Sequence, residues 1–137
     1  MNQSVTRSEI RVRYRETDQM AVAWHGNYIE WFEVARTDWL RNLGLSYREL
    51  EARGILLPVL RILCDYVRPA RYDDILVIET KLQSYNGVRL AFSYIARTFQ
   101  EESVVASGQT EHTFADAELR PIRLARREPE IHRLLEG

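Results

Sequence analysis

The sequence predicts a single α+β domain in which one antiparallel sheet covers one long helix. Three observations point there. Apolar residues recur at helical spacing from Tyr28 to Leu43, after one short alternating segment. From Ile55 onward the period changes, and four further segments read as strands. Those later segments are linked largely by hairpin-like turns, which favours antiparallel neighbours.

Glu9 to Arg15 alternates, with Ile10, Val12 and Tyr14 on one face, and reads as a half-buried strand. A loop from Glu16 to Gly26 follows. Asn27 is a natural N-cap, and Glu30 three residues on completes a capping box. Tyr28, Phe32, Ala35, Trp39 and Leu43 form the apolar stripe, widened by Ile29 and Leu40, and Gly44 stops the helix. At 1.5 Å per residue this helix is roughly 24 Å long. Ser46 and Glu49 open a second, short helix that Gly54 ends.

Ile55 to Val67 is a long apolar stretch with a bend expected at Pro58. Residues 68–74 connect it to a strand over Ile75 to Ser84, whose faces are Ile75, Val77, Glu79, Lys81 against Leu76, Ile78, Thr80, Leu82. Asn86-Gly87 signals a type I′ hairpin. Val88 to Phe99 and Val104 to Ala115 are the last strands, with Gly108 marking a close backbone approach. The Arg-rich end carries a short helix over Pro129 to Leu135. A sheet that wraps one helix leaves an open edge, so a homodimer or homotetramer is expected.

Composition narrows the class. With 137 residues, one domain spanning 1–137 is expected, burying roughly two thirds of its unfolded surface. A net charge of −1 exerts no global pull toward nucleic acid or anionic lipid, and no basic strip interleaved with aromatics argues for RNA or DNA. No apolar run approaches the roughly 18 residues of a membrane span. The first residues lack the apolar core of a signal peptide, so a cytoplasmic protein is expected. The single cysteine, Cys64, excludes an intrachain disulfide and reads as an inert thiol in an apolar strand. His25, His112 and His132 lie far apart, without zinc-site spacing, so no metal is expected.

Asp18 and His25 stand out because they lie just ahead of the long helix. First-turn N–H groups have no intrahelical partner, and the helix dipole leaves partial positive charge there. A carboxylate facing the same point supplies the second half of a site that attacks acyl groups. From spacing alone, Asp18 equally well closes an Asx turn after Thr17. His25 alternatively packs or caps near the helix start.

The motif from Thr17 to Arg36, with Tyr14, Thr17-Asp18, His25, Asn27-Tyr28 and the helix Trp31 to Arg41, resembles the hotdog-fold thioesterases of the 4-hydroxybenzoyl-CoA thioesterase family. The branch it resembles most contains the Tol–Pal-associated acyl-CoA thioesterases, and Gly44 and the later strands follow in the family's order. The resemblance implies an acyl-CoA thioester hydrolase with no cofactor, CoA being part of the substrate. It places the catalytic carboxylate on Asp18, as nucleophile or general base, and the carbonyl-polarising main-chain N–H on His25. It further implies an acyl channel between protomers, with the nucleotide bound on the surface across subunits. Where the family commonly has glycine, three residues after the aspartate, this chain has Ala21. Alanine at φ > 0 costs roughly 1 kcal/mol, so a slightly altered loop is expected.

Further candidates surround this pair. Tyr14 and Tyr28 either line the acyl pocket or pack in the core, and Trp24 either closes over the substrate or anchors the loop. Asn27 caps the helix and so holds the oxyanion donors. Arg89, with Arg120, Arg123, Arg126 and Arg127 in the tail, is available for CoA phosphates. His112 reads as a satisfied sheet histidine, and Glu33 with Arg36 as a helical ion pair. Two readings from other classes stand beside hydrolysis. One is a hotdog acyl-CoA hydratase or dehydratase, against which the seven-residue gap from Asp18 to His25 speaks. The other is a non-catalytic acyl-CoA or acyl-carrier binding module.

Overall fold

The computed structural model describes residues 1–137. Strand β1 (Val5–Arg11) precedes a 3-10 turn (Tyr14–Glu16) and helix α1 (Asn27–Asn42). Helix α2 (Tyr47–Ala52), then β2 (Val59–Tyr66), β3 (Ile75–Tyr85), β4 (Arg89–Thr98) and β5 (Val104–Thr113) follow, and α3 (Leu124–Arg127) and α4 (Pro129–Glu136) close the chain. All pairings are antiparallel in the order β1-β3-β4-β5-β2, so β1 and β2 are the free edges. No helix is long and apolar enough to cross a membrane.

Helix α1 has the predicted 16-residue extent, and Gly44 beyond it takes φ +89°. Tyr28, Phe32, Ala35, Trp39 and Leu40 are buried as the stripe requires, and Leu43 is partly so. Ile29 instead faces outward, and Trp31 takes a buried place that the stripe omitted. The Phe32 ring stacks on Tyr94 of β4 at 4.4 Å, and Trp39 meets Phe92 edge-on at 5.3 Å. Gly108 of β5 lies directly beneath Phe32: a Cβ there would sit 2.3 Å from the ring and 3.0 Å from the Leu63 carbonyl. The close approach expected at Gly108 is therefore the seat of α1 on the sheet.

Several local readings change in three dimensions. The first strand begins earlier and ends at Arg11, and Tyr14 turns outward in the 3-10 turn against Tyr72. The Asn86 corner is not a type I′ turn, since only Gly87 has positive φ there. The Asn86 Oδ1 instead accepts the Val88 and Arg89 N–H groups, an Asx arrangement that offers the backbone a different partner. Arg36 pairs with no carboxylate; it is buried and donates from Nε to the Tyr47 hydroxyl at 3.2 Å. The predicted faces of β3 hold: Leu76, Ile78, Thr80 and Leu82 are buried.

A polar chain crosses the core beneath α1. The Thr110 hydroxyl bridges the Tyr94 hydroxyl (2.6 Å) and His112 Nε2 (2.8 Å). His112 is completely buried, with its Nδ1 toward the Leu57 and Pro58 backbone but outside good hydrogen-bond geometry. Burial, reinforced by the Arg36 charge, lowers its pKa to about 4.

Two outcomes follow from this core. Gly108→Ala forces Phe32 off Tyr94 and should destabilise the fold by about 1–3 kcal/mol, read as a lower melting temperature. Below about pH 6.5 the unfolded chain binds a proton at His112 that the native state refuses until about pH 4. Stability should therefore fall as pH drops through that window, by roughly 3 kcal/mol in total from this residue. Melting curves of wild type and His112→Gln, taken between pH 7 and 4, should show a shallower pH dependence in the variant.

Candidate active site

The loop joining β1 to α1 is built around Glu16. Its carboxylate, buried to 6% exposure, accepts the Arg13 N–H (2.7 Å) and the Trp31 indole Nε1–H (3.0 Å). Its carbonyl accepts the Trp24 N–H (2.8 Å) and the Asn27 Nδ2 amide (2.6 Å). Burial alone would raise the carboxyl pKa. The Arg13 guanidinium and N–H, with the Trp31 indole, outweigh it and hold Glu16 below its usual range. Glu16 thus stays charged at neutral pH and ties both ends of the loop to the helix. Nothing in the charged run Arg13-Tyr14-Arg15-Glu16 singles it out in sequence.

Asn27 is consequently not the N-cap. Gly26 occupies that position without a side-chain cap, and Asn27 is the first helical residue, its amide spent on Glu16. Gly26 lets the Trp24 ring lie flat over it: a Cβ would sit 2.3 Å from the ring and push it aside. That ring is half-exposed, folds over Gly26 and leans on His25 at 5.0 Å. Trp24 packs over the helix entrance within its own loop and is not among the residues that line the cleft holding Asp18 and His25.

The helix entrance keeps two donors free. The Asn27 N–H reaches the Trp24 carbonyl (3.0 Å) and the Tyr28 N–H makes a long bond to the His25 carbonyl (3.4 Å), whereas the N–H groups of His25 and Gly26 have no acceptor in the chain. Asp18 forms an Asx turn: Oδ1 accepts the Met20 N–H at 2.8 Å, and Oδ2 has no partner in the chain. The turn reading and the catalytic reading are thus compatible, one oxygen serving each. Between Asp18 and Val22 the loop closes with Asp18 N–H donating to the Val22 carbonyl at 2.9 Å. Ala21 adopts φ +63°, so this alanine carries the left-handed strain that a glycine would avoid.

Asp18, His25 and Tyr28 line one cleft of about 320 Å³ with Met20, Val22, Ala23, Tyr66, Val67, Arg68 and Pro69. Tyr28 is buried, edge-on to Trp31 (4.7 Å) and Tyr66 (5.2 Å), so it is both core and cleft floor. Tyr66 and the residues after it, which sequence reasoning missed, come from the end of β2, some 40 residues away. No local signal marks them.

Two candidates lie elsewhere in the chain. Tyr14 is exposed and absent from the cleft, because the 3-10 turn rotates it away. Arg89 borders a different hollow, with Leu60, Tyr85 and Glu111. In the tail, Arg120 is tied to Asp116 and Glu118, and Arg127 donates to the Arg53 carbonyl. Cys64 is half-buried, and burial raises its thiol pKa, consistent with an inert group.

A long helix seated on an antiparallel five-stranded sheet is the architecture of the hotdog thioesterases. The chain belongs to the thioesterase-like superfamily, whose model matches residues 12–134. It is 37% identical to YneP of Bacillus subtilis over 130 residues, 93% of each chain. It is also 37% identical to the acyl-CoA thioester hydrolase YbgC of Escherichia coli O6:H1 over 93 residues, 68% of this chain and 69% of YbgC. Among solved structures, the DHNA-CoA thioesterase of Staphylococcus aureus superposes with a TM-score of 0.93 at 34% identity, covering 96% of this chain and 89% of that one.

Ala21 offers a direct check of the loop. Relief of left-handed strain in Ala21→Gly outweighs the added freedom of the unfolded chain, giving about 0.5–1 kcal/mol of stabilisation. Calorimetry should show the melting temperature rising by roughly 2–4 °C.

Proposed function

We propose that this chain is an acyl-CoA thioesterase in which Asp18 and the helix entrance at His25 form the catalytic site. The observation that carries the reading is the common opening of the Asp18 carboxylate and the His25 corner on one cleft, with the His25 and Gly26 N–H groups left without acceptors. The named activities of YbgC and the Staphylococcus aureus enzyme support a CoA ester as substrate.

In this mechanism the thioester carbonyl oxygen accepts from the free N–H groups at the helix entrance. Asp18 Oδ2 takes a proton from water as the water oxygen bonds to the carbonyl carbon. Alternatively, Oδ2 attacks that carbon itself and forms an anhydride that water then opens. The C–S bond breaks, CoA thiolate leaves and is protonated, and the free acid departs. General-base work contributes about 10²–10⁴ in rate, and one well-aimed oxyanion donor about 2.7–4 kcal/mol. Oxyanion donors held by the fold need no reorganisation during the reaction, so the helix entrance contributes on the same scale as Asp18. His25 adds an exposed imidazole at the rim, a proton source for the leaving sulfur.

The working unit in this reading is a homodimer joined through β2. That edge strand exposes Val59, Leu60, Ile62, Leu63 and Tyr66, apolar on both faces, and has no neighbour on its outer side. Antiparallel pairing of two β2 edges would bring the Leu60 end of one copy, with its Arg89, beside the Tyr66 end of the other. Arg89 would then serve the substrate phosphates across the interface. A single free cysteine and a thioester substrate suit a reducing, cytoplasmic setting.

A thiol-release assay over short-chain, long-chain and aromatic acyl-CoAs tests the activity. Wild type should turn over at least one ester. Asp18→Asn, which retains the oxygen that accepts the Met20 N–H, should lose at least about 10²-fold in kcat while staying folded. Full activity in a folded Asp18→Asn protein would remove Asp18 from the mechanism, and binding of acyl-CoA without thiol release would mark a carrier module.

A further inference from the structure

The Tyr66 hydroxyl donates to the His25 carbonyl at 2.8 Å, joining the end of an edge strand to the helix entrance across 41 residues of sequence. The His25 carbonyl belongs to the same planar peptide unit as the Gly26 N–H. Fixing one end of that plane fixes the direction of the other. The preceding unit, which carries the His25 N–H, is held separately by the Asn27 N–H on the Trp24 carbonyl. The only other bond to the His25 carbonyl is the long one from the Tyr28 N–H at 3.4 Å, so Tyr66 supplies the stronger restraint.

We infer that Tyr66 is a positioning residue of the thioesterase site: its hydroxyl sets the orientation of the His25–Gly26 peptide and with it the Gly26 N–H donor. The inference rests on the thioesterase reading above and extends it to a residue outside the loop and helix. The ring itself is held by edge contacts to Tyr28 at 5.2 Å and His25 at 6.2 Å, both independent of the hydroxyl. Burial, with the neighbouring Cys64 thiol, pushes the Tyr66 pKa up to about 12, so the phenol remains a donor across the range in which the enzyme works. A wandering peptide would weaken a contact that strengthens as the carbonyl oxygen gains charge in the transition state, so most of the loss falls on kcat rather than on substrate binding.

Tyr66→Phe keeps both ring contacts and deletes only the donor. With an acyl-CoA that wild type hydrolyses, the variant should lose about 10- to 100-fold in kcat with KM changed less than about threefold. The second arm replaces Tyr66 by a fluorinated tyrosine whose phenol ionises several pH units lower. That protein should match wild type at low pH and lose kcat as pH rises through the lowered phenol pKa, because a phenolate has no proton to donate. Wild-type kcat in Tyr66→Phe, or a fluorotyrosine protein with the wild-type pH profile, overturns the role of Tyr66 and leaves the thioesterase reading intact. A wild-type protein that releases thiol from no acyl-CoA overturns both.

Discussion

The buried carboxylate of Glu16 holds the site in one piece, because without it the loop carrying Asp18 and the entrance of α1 have little reason to stay together. The side chain satisfies Arg13 and Trp31, and the carbonyl of the same residue satisfies Trp24 and Asn27. A charged group this deep is tolerated only when its oxygens are saturated with donors, and here each oxygen has one or more. The arrangement leaves the loop no slack. Asp18 and His25 are seven residues apart, and the chain between them is bonded at Val22 and Ala23 and again at Trp24.

The helix that receives this loop is itself positioned by shape. Phe32 lies flat on Tyr94 over the bare backbone of Gly108, and Trp39 wedges against Phe92 while its indole N–H reaches the Ser4 carbonyl at 2.9 Å. Packed interiors transmit small displacements, so a shift of Phe32 on the Gly108 seat is passed along α1 toward its entrance. The polar chain Tyr94–Thr110–His112 runs under the same contact. Its directional bonds join β4 to β5 and fix the Tyr94 ring on which Phe32 rests.

Much of this was legible in sequence because it is governed by short-range rules. Helical spacing marks Tyr28 to Leu43, one residue off the observed Asn27–Asn42, Ser46 caps α2 by accepting the Glu49 N–H, and β3 buries the alternate residues that the pattern named. Rules of the same range misjudged positions where a distant group made the better offer. Asn27 had the right chemistry for a cap, but the Glu16 carbonyl took its amide. Arg36 had a carboxylate three residues before it on the helix, but the core took its guanidinium toward Tyr47. Tyr14 continued the alternation of the first strand until the 3-10 turn rotated it outward.

By itself the sequence determined the order of elements, the helix with its stripe, and the pairing of Asp18 and His25 ahead of a helix entrance. Each depends on residues within a turn or two of one another, where propensity and periodicity act directly. Only the tertiary structure decided which N–H groups remain free, which oxygen of Asp18 is unspent, and that Tyr66 and Arg68 border the same cleft. Those outcomes depend on competition among hydrogen-bond partners far apart in the chain. The sheet order β1-β3-β4-β5-β2, which leaves β2 at an edge, sets the winners only after the chain has closed on itself.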